Sequence, residues 1–290
     1  MISVVIRTKD EAVNLPHCLA ALVWCEDIVV VDAGSVDETQ AIARKANVRI
    51  FEASFQDESE QLNWIAQKIE FKNPWVYICD ADEIVSAELR DELLRISNDS
   101  SNHLVAYRVR YKNYFMNRWI RHCGIYPVWL LRVFRPGFVN WERKINTTVR
   151  ILGDEGKLDS HFMHYSFRKG LTAWFEKHNR YSTLEAVEST KTLQESTIRW
   201  SDIFQTKEPA RRRIALKELS FRMPCRPLLR FIYMYFLRFG FLDGAAGFHY
   251  CKLLSVYEYM IVMKQKEAAA NSNRSHPLVE HERPNAVDSK

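Results

Sequence analysis

Residues 27–35 of this 290-residue chain read DIVVVDAGS, and this stretch decides the fold class. From Ile28 to Val31 the residues are all β-branched, which is typical of a parallel strand buried on both faces. The run ends in Asp32, and Gly34 follows where the chain must turn. The stretch therefore predicts a buried strand whose carboxyl end carries a polar side chain.

Two further strand-like runs end in the same way. Residues 2–7 (ISVVIR) precede Thr8, and residues 75–79 (WVYIC) precede Asp80. The segments between the runs are predicted as helices 11–22, 36–46, 59–69 and 87–96, with a short strand at 48–52. Alternating strands and helices predict an α/β fold with a doubly wound sheet, which binds ligands at the carboxyl ends of its strands.

Composition excludes several classes of site. The chain has 9 glycines and contains neither a dinucleotide-binding nor a P-loop glycine pattern. Its 6 cysteines include no Cys-x-x-Cys pair, which argues against a disulfide framework or zinc site and indicates a reducing compartment. The first residues form a strand-like run instead of a basic leader, and no long apolar stretch follows. We therefore expect a cytoplasmic catalytic region without a transmembrane helix.

An Asp-x-Asp pattern, Asp80 and Asp82, follows the last buried run. If the chain is still extended there, the two side chains point to one face. Two carboxylates on one face suit Mg²⁺ or Mn²⁺, which would bridge to a diphosphate and neutralise charge on a leaving nucleotide. The alternative is a solvated loop or a helix N-terminus, where acidic residues are common.

The first hundred residues resemble the family 2 glycosyltransferases, which are inverting enzymes with a GT-A fold. The residues that carry this resemblance are Ser3-Val4-Val5-Ile6, Glu11, Ile28 to Ser35, Asp37, Thr39, Gln61, Asn63 and Asp80-Ala81-Asp82-Glu83. A later region is similar to the lipopolysaccharide-core β-glucosyltransferase-like subgroup through Asn113-Tyr114-Phe115, Arg118 to His122, Gly124, Tyr126-Pro127, Leu131 to Arg135, His164 to Arg168 and Asn179 to Ser182.

Together these motifs cover residues 1–265. The resemblance implies a metal-dependent, inverting hexosyltransferase with a nucleotide-sugar donor, expected to be a UDP-hexose. It implies a lipid-linked or envelope saccharide as the acceptor, such as the lipopolysaccharide core.

The resemblance also implies which residues bind the donor. Thr8 and Glu11 would line the nucleotide pocket, and Asp32 would hold the base or the ribose. Gln61 and Asn63 would lie on a helix that faces the donor. Other interpretations remain open, because Asp32 also fits a turn and the pair on the helix also fits an exposed face.

A second group implied by the resemblance is the metal site. Asp80 and Asp82 would hold the divalent metal, with Asp80 also at the ribose–diphosphate. His164 would complete the metal shell or contact the diphosphate. A hydrogen-bonded structural histidine is the alternative interpretation of His164.

The sequence departs from its relatives at two places. Asp10 stands where many relatives carry Asn, and would add negative charge near the diphosphate or cap the next helix. Asn146-Thr147 stands where relatives carry His-Glu, whose glutamate is a candidate general base. Threonine cannot take that role, so Glu83 and Glu142 are the alternative candidates. A non-catalytic relative that binds a nucleotide sugar or an envelope partner is the rival interpretation.

The sequence divides into three predicted regions. Residues 1–170 would form the glycosyltransferase domain, in which residues 1–100 bind the nucleotide and residues 101–170 bind the acceptor. Residues 171–266 would form a helical extension, and residues 267–290 a disordered tail.

Basic residues precede and flank the aromatic run 231–237 (FIYMYFL), which is typical of a helix at an anionic membrane interface. Two helices that close over the core are the alternative. Nucleic acid is disfavoured as a partner, because the charges lie beside a strongly apolar run. We therefore expect a protein peripheral to the inner face of the cytoplasmic membrane.

Overall fold

The computed structural model describes residues 1–142, 148–195 and 209–274. Its first hundred residues alternate strands and helices in the predicted order. The strands are β1 Ile2–Thr8, β2 Ile28–Asp32, β3 Arg49–Glu52, β4 Trp75–Asp80 and β5 Glu83–Val85. The helices are α1 Leu15–Ala20, α2 Thr39–Lys45, α3 Glu58–Lys68 and α4 Ala87–Asn98. Helix α1 is shorter than predicted, because the chain from Glu11 first makes a turn.

Strands dominate the middle of the chain, and helices its C-terminal region. The strands are β6 Ala106–Phe115, β7 Arg118–Ile120, β8 Trp129–Phe134, β9 Val139–Glu142, β10 Thr148–Ile151 and β11 Glu155–His164. The helices are α5 Gly170–Glu195, α6 Pro209–Arg222, α7 Arg226–Ile232, a π-helical turn Tyr233–Leu237, a 3-10 turn Gly240–Asp243 and α8 Gly244–Arg274. Helix α8 continues past residue 267, where the sequence predicts the disordered tail to begin. No helix in the described ranges is both long and apolar enough to cross a bilayer.

The main sheet is mixed, with strand order β3-β2-β1-β4-β8-β6-β11-β5 and with β7 paired to β6. Strands β3, β2, β1 and β4 are parallel, whereas β8 is antiparallel to both of its neighbours. The register places Thr8 beside Asp32 and Arg7 beside Asp80. The α/β prediction is therefore confirmed, and the polar strand ends meet at one edge.

Each face of the sheet carries its own apolar core. Val4 and Ile6 of β1 pack with Leu15 of α1 on one face, whereas Val5 packs with Ile65 of α3 on the other. This division follows from the alternation of side chains along a strand. Since burial of one large aliphatic side chain contributes about 1.5–3 kcal/mol, these layers hold the strand ends rigidly in place.

The chain forms two compact units. One contains Met1–Trp174 together with Met234–Tyr250, and the other contains Phe175–Tyr233 and the chain from Cys251 onward. The sequence predicts one continuous helical extension over 171–266. The structure differs from this prediction, because it groups Met234–Tyr250 with the sheet. Within the second unit, Arg226 and Glu258 form an ion pair at 2.6 Å.

Candidate active site

The carboxyl ends of β1 and β2 meet at a buried carboxylate, Asp32. Thr8 Oγ1 donates to Asp32 Oδ1 at 2.8 Å, and the Ser35 hydroxyl donates to the same oxygen. The other oxygen, Oδ2, accepts from the Ser35 backbone N–H at 2.8 Å and from Gln40 Nε2 at 2.9 Å. Burial raises the pKa of Asp32, but these hydrogen bonds outweigh it and lower the pKa below its ordinary value. Asp32 thus fixes the loop after β2 through four hydrogen bonds.

The loop after β1 is tied to the segment that follows β11. Lys169 Nζ lies 2.6 Å from Glu11 Oε1 and donates to the Asp10 carbonyl at 2.9 Å. Asp10 Oδ1 accepts from the backbone N–H of Val36 at 2.8 Å, so this departure from the family pattern ties together the loops after β1 and β2. Burial raises the pKa of Glu11, although Asn14 and Lys169 oppose it. Thr8 and Glu11 therefore border one loop cluster.

Asp80, the last residue of β4, lies between two arginines. Arg7 Nε donates to Asp80 Oδ1 at 2.8 Å, and Arg132 donates to Oδ2 at 3.1 Å. Arg132 also pairs with Glu83, whose other oxygen accepts from the Asp80 backbone N–H at 3.2 Å. Burial raises the pKa of Glu83 to about 7, and the charge of Arg132 opposes the rise. Asp80 and Glu83 therefore belong to one buried ionic network.

Neither arginine of this network has a role predicted from the sequence, although Arg132 lies in a motif that carries the resemblance. Each stands within a strand of otherwise apolar residues, Arg7 in ISVVIRT and Arg132 in WLLRVF. A cation in such a run has to be paired, because burial of an unpaired charge is very costly. That pattern was the available signal, although it does not name the partner.

Asp82 and His164 form a second, separate pair at the same edge. Asp82 Oδ2 lies 3.3 Å from His164 Nε2, and the side chains are 17% and 26% exposed. The backbone N–H of Tyr165 donates to the Asp82 carbonyl at 2.8 Å, which fixes the turn between β4 and β5. Burial lowers the pKa of His164, but Asp82 and the carboxylates of Glu83 and Asp80 outweigh it, so the pKa is raised.

This pair has the donor chemistry of a divalent cation site. Carboxylate oxygen and imidazole nitrogen both bind Mn²⁺, and carboxylates bind Mg²⁺. Within the described ranges no three His, Cys, Asp or Glu side chains form a metal cluster, so a cation at Asp82 and His164 would need substrate oxygens or water as further ligands. The predicted trio is thus only partly assembled, because Asp80 points to guanidinium groups, which carry no lone pair.

Asn63 is bound to strand β9. Asn63 Nδ2 donates to the Trp141 carbonyl at 2.8 Å, and the Trp141 backbone N–H donates to Asn63 Oδ1 at 2.8 Å. The amide that the resemblance assigns to the donor side therefore anchors a strand. Gln61 lies half-buried on the first turn of α3.

The two candidate bases have opposite surroundings. Glu83 is 2% exposed and engaged at both oxygens, whereas Glu142 is exposed at the end of β9. The Asn146-Thr147 departure lies outside the described residues. Of the two candidates, Glu142 is therefore the one whose carboxylate is exposed to solvent.

Comparison with known proteins gives consistent matches. The family described as Glycosyl transferase family 2 matches residues 3–170, more than half of the chain. The lipopolysaccharide core biosynthesis glycosyltransferase LpsC of Rhizobium meliloti (strain 1021) is 26% identical over 200 residues, which are 66% of this chain and 73% of that protein. The uncharacterized glycosyltransferase RT0209 of Rickettsia typhi is 24% identical over 289 residues, 93% of this chain and 88% of that protein. The crystal structure of S. aureus TarS aligns with a TM-score of 0.43 and 10% identity, over 96% of this chain and 92% of that chain.

Proposed function

The chain belongs to the family 2 glycosyl transferases, and we propose that it transfers a hexose from a UDP-sugar to a hydroxyl of a lipid-linked or envelope saccharide. It is a transferase with a GT-A fold, as the sequence predicts. The observation that carries the proposal is the Asp82–His164 pair beside the loops after β1 and β2. The name of the Rhizobium relative, a lipopolysaccharide core glycosyltransferase, supports an envelope saccharide as the acceptor.

In this proposal the loops after β1 and β2 bind the nucleotide. Thr8 and Glu11 line the pocket, and Asp32 acts by holding the loop at Ser35 in shape. Four satisfied acceptor positions make Asp32 a positioning residue, since a base or ribose would have to displace a donor that is already in place.

Asp82 and His164 would hold the divalent cation, expected to be Mg²⁺ or Mn²⁺. When bound, such a cation neutralises negative charge on the leaving diphosphate. The chain's own contribution is to fix the two ligands. Arg7 and Arg132 anchor Asp80, and the backbone bond from Tyr165 anchors Asp82, so the turn is held from both sides.

An inverting transfer needs a base that takes the proton of the acceptor hydroxyl as its oxygen attacks the anomeric carbon. We assign this role to Glu142, because its carboxylate is exposed on β9, which Asn63 holds against α3. Glu83 is then a positioning residue that balances the charge of Arg132 beneath the turn.

Release of free nucleotide from a panel of nucleotide sugars tests this function. With Mn²⁺ we expect release from a UDP-hexose, and in Asp82→Asn a loss of about 100-fold, which corresponds to roughly 2.7 kcal/mol of barrier. Asp91→Asn is the matched control, because Asp91 is an exposed aspartate paired to Arg90 on α4. Release without metal dependence, or equal release in the two variants, would remove the observation that carries the proposal.

The family assignment argues against the non-catalytic alternative, and the same assay separates the two. A binding protein without turnover would show a metal-dependent thermal shift with the donor but no released nucleotide. We also propose a peripheral membrane location, which does not depend on the reaction and which a segment of the first unit supports.

A further inference from the structure

Residues 236–242 present an unusual apolar surface on the unit that carries the site. Five large apolar side chains are mostly exposed within this stretch of seven residues: Phe236 (54%), Leu237 (66%), Phe239 (55%), Phe241 (44%) and Leu242 (53%). Large apolar patches are rare on the surfaces of soluble proteins and mark interaction sites. We call residues 236–242 the apolar lip.

The apolar lip is held firmly to the sheet unit. The buried carboxylate of Asp243 accepts from the His122 backbone N–H at 2.8 Å, and its other oxygen lies 2.8 Å from His122 Nδ1. The Cys123 backbone N–H donates to the Arg238 carbonyl at 3.1 Å. These contacts fix the lip at Arg238 and directly after its C-terminal end, so its exposed side chains belong to a formed surface.

The backbone of the lip is strained where an aromatic ring is exposed. Phe239 has φ of +57°, in the left-handed region that large side chains disfavour. Behind it, Gly247 packs so closely on the Gly240 carbonyl that a Cβ atom would clash. Packing around Gly240 thus holds Phe239 in a strained backbone conformation. Burial of the Phe239 ring does not offset this strain, because the ring is exposed. Such strain points to selection for function.

Three exposed arginines accompany the lip. Arg118, Arg121 and Arg238 are exposed on the same unit, and the Arg118 guanidinium lies beside Gly244, just after the lip. Residues 234–242 contain no acidic residue, and the next one, Asp243, is buried against His122. Exposed aromatic and leucine side chains accompanied by arginines fit the headgroup region of an anionic bilayer.

We propose that the apolar lip inserts into the surface of an anionic membrane and that the three arginines contact its lipid phosphates. Helix α8, which follows the lip, also contacts the strand beside the candidate metal site. Asn113 donates to the Tyr250 hydroxyl at 3.1 Å, and Asn113 lies opposite His164 in the β6–β11 register. Because α8 begins directly after the lip, a membrane bound at the lip would lie on the same unit as the candidate metal site. Delivery of a lipid-linked acceptor to this site would be a second role of the lip. This second role rests on the proposed function, whereas membrane binding does not.

Flotation of the full chain with lipid vesicles tests this proposal. We expect binding to vesicles of phosphatidylcholine with phosphatidylglycerol, and weaker binding to phosphatidylcholine alone or in high salt. The double variant Leu237→Glu, Leu242→Glu should lower vesicle binding about tenfold or more, because two exposed leucines no longer enter the interface. Leu152→Glu is the matched control, since Leu152 is 57% exposed on the same unit away from the lip.

Three results would overturn the proposal. One is failure of the wild type to bind anionic vesicles, and another is equal binding by the lip variant and the control. The third is a dimer in sedimentation that the lip variant abolishes without any vesicle binding, since a second copy would then cover the lip. Thermal unfolding shows that the variants are folded. Nucleotide release without vesicles tests the proposed function separately, so the two failures are distinguishable.

Discussion

The carboxylates at the catalytic edge of the sheet are of two kinds. Asp32, Asp80 and Glu83 accept from hydroxyl, amide and guanidinium groups that the protein supplies permanently. Asp82 instead faces His164, an imidazole that can give up its proton and bind a cation. The first position of the Asp-x-Asp pattern is therefore a fixed anchor, and the second is the position that we propose as a ligand.

The guanidinium groups explain why the first kind is fixed. Arginine stays charged at all accessible pH values, and in this fold burial and two carboxylates hold Arg132 between Asp80 and Glu83. The network therefore stabilises the turn between β4 and β5, whereas the Asp82–His164 pair is the cation site that we propose. Variants in the arginine network should therefore change mainly the free energy of unfolding, and variants of Asp82 or His164 mainly metal binding and activity.

The largest effect should come from Arg132→Met, which leaves the buried Glu83 carboxylate without its cation, whereas Asp80 keeps Arg7. We expect the free energy of unfolding to fall by about 3–5 kcal/mol, measured by urea denaturation. Arg44→Met is the control, because Arg44 is 60% exposed in its pair with Glu52 and should change stability by about 0–1 kcal/mol.

Adding Glu83→Gln to the Arg132→Met variant tests whether the lost stability comes from the unpaired Glu83 carboxylate. Removal of the second charge should restore some of the lost stability, because the network then has one unpaired carboxylate fewer. A double variant as unstable as Arg132→Met, or a single variant as stable as the Arg44 control, would contradict a fixed network.

A smaller effect is expected from the two candidate bases. Glu142→Gln should lower the transfer rate about 100-fold with little change in stability, because general bases contribute at least that much. Glu83→Gln should lower the rate less, and its main effect should be on unfolding. Single-turnover transfer and thermal unfolding of both variants are the measurements. The reverse result, with rate lost only in Glu83→Gln, would assign the base to the buried network.

The smallest effect should come from Asp32→Asn, and it concerns how the free energy of unfolding depends on pH in acid. Since its hydrogen bonds lower the folded-state pKa of Asp32 below the ordinary 3.8, its stabilisation is present above that value and is lost as pH falls through the lowered pKa. The free energy of unfolding should therefore decline less steeply with acid in Asp32→Asn than in the wild type. Parallel declines would mean that the loop does not hold Asp32 as described.

Much of this edge could be predicted from the sequence. The β-branched run before Asp32 and the apolar run before Asp80 marked buried strands, and parallel strands bring their carboxyl ends to one edge. Their ion pairs could not be predicted, since Arg132 is 52 positions from Asp80 and no local pattern relates them. The contact of Asn63 could not be predicted either, because its partner Trp141 lies on a strand 78 positions away.

The C-terminal half was harder to predict for a similar reason. Basic and aromatic residues continue through residues 208–264, so composition shows no boundary. The structure separates Met234–Tyr250 from the flanking helices, and Asp243 is tied to His122 across 121 positions. A contact between residues so distant in sequence is decided by packing, which residue patterning does not record.

The central claim is that Asp82 and His164, and not Asp80, form the cation site. Calorimetric titration of Mn²⁺ into the protein with UDP present tests it most directly. We expect Asp82→Asn and His164→Gln each to weaken Mn²⁺ binding by about tenfold to hundredfold, as loss of groups at metal sites generally does, and Asp91→Asn to bind Mn²⁺ as the wild type does. Wild-type affinity in both site variants would contradict the account.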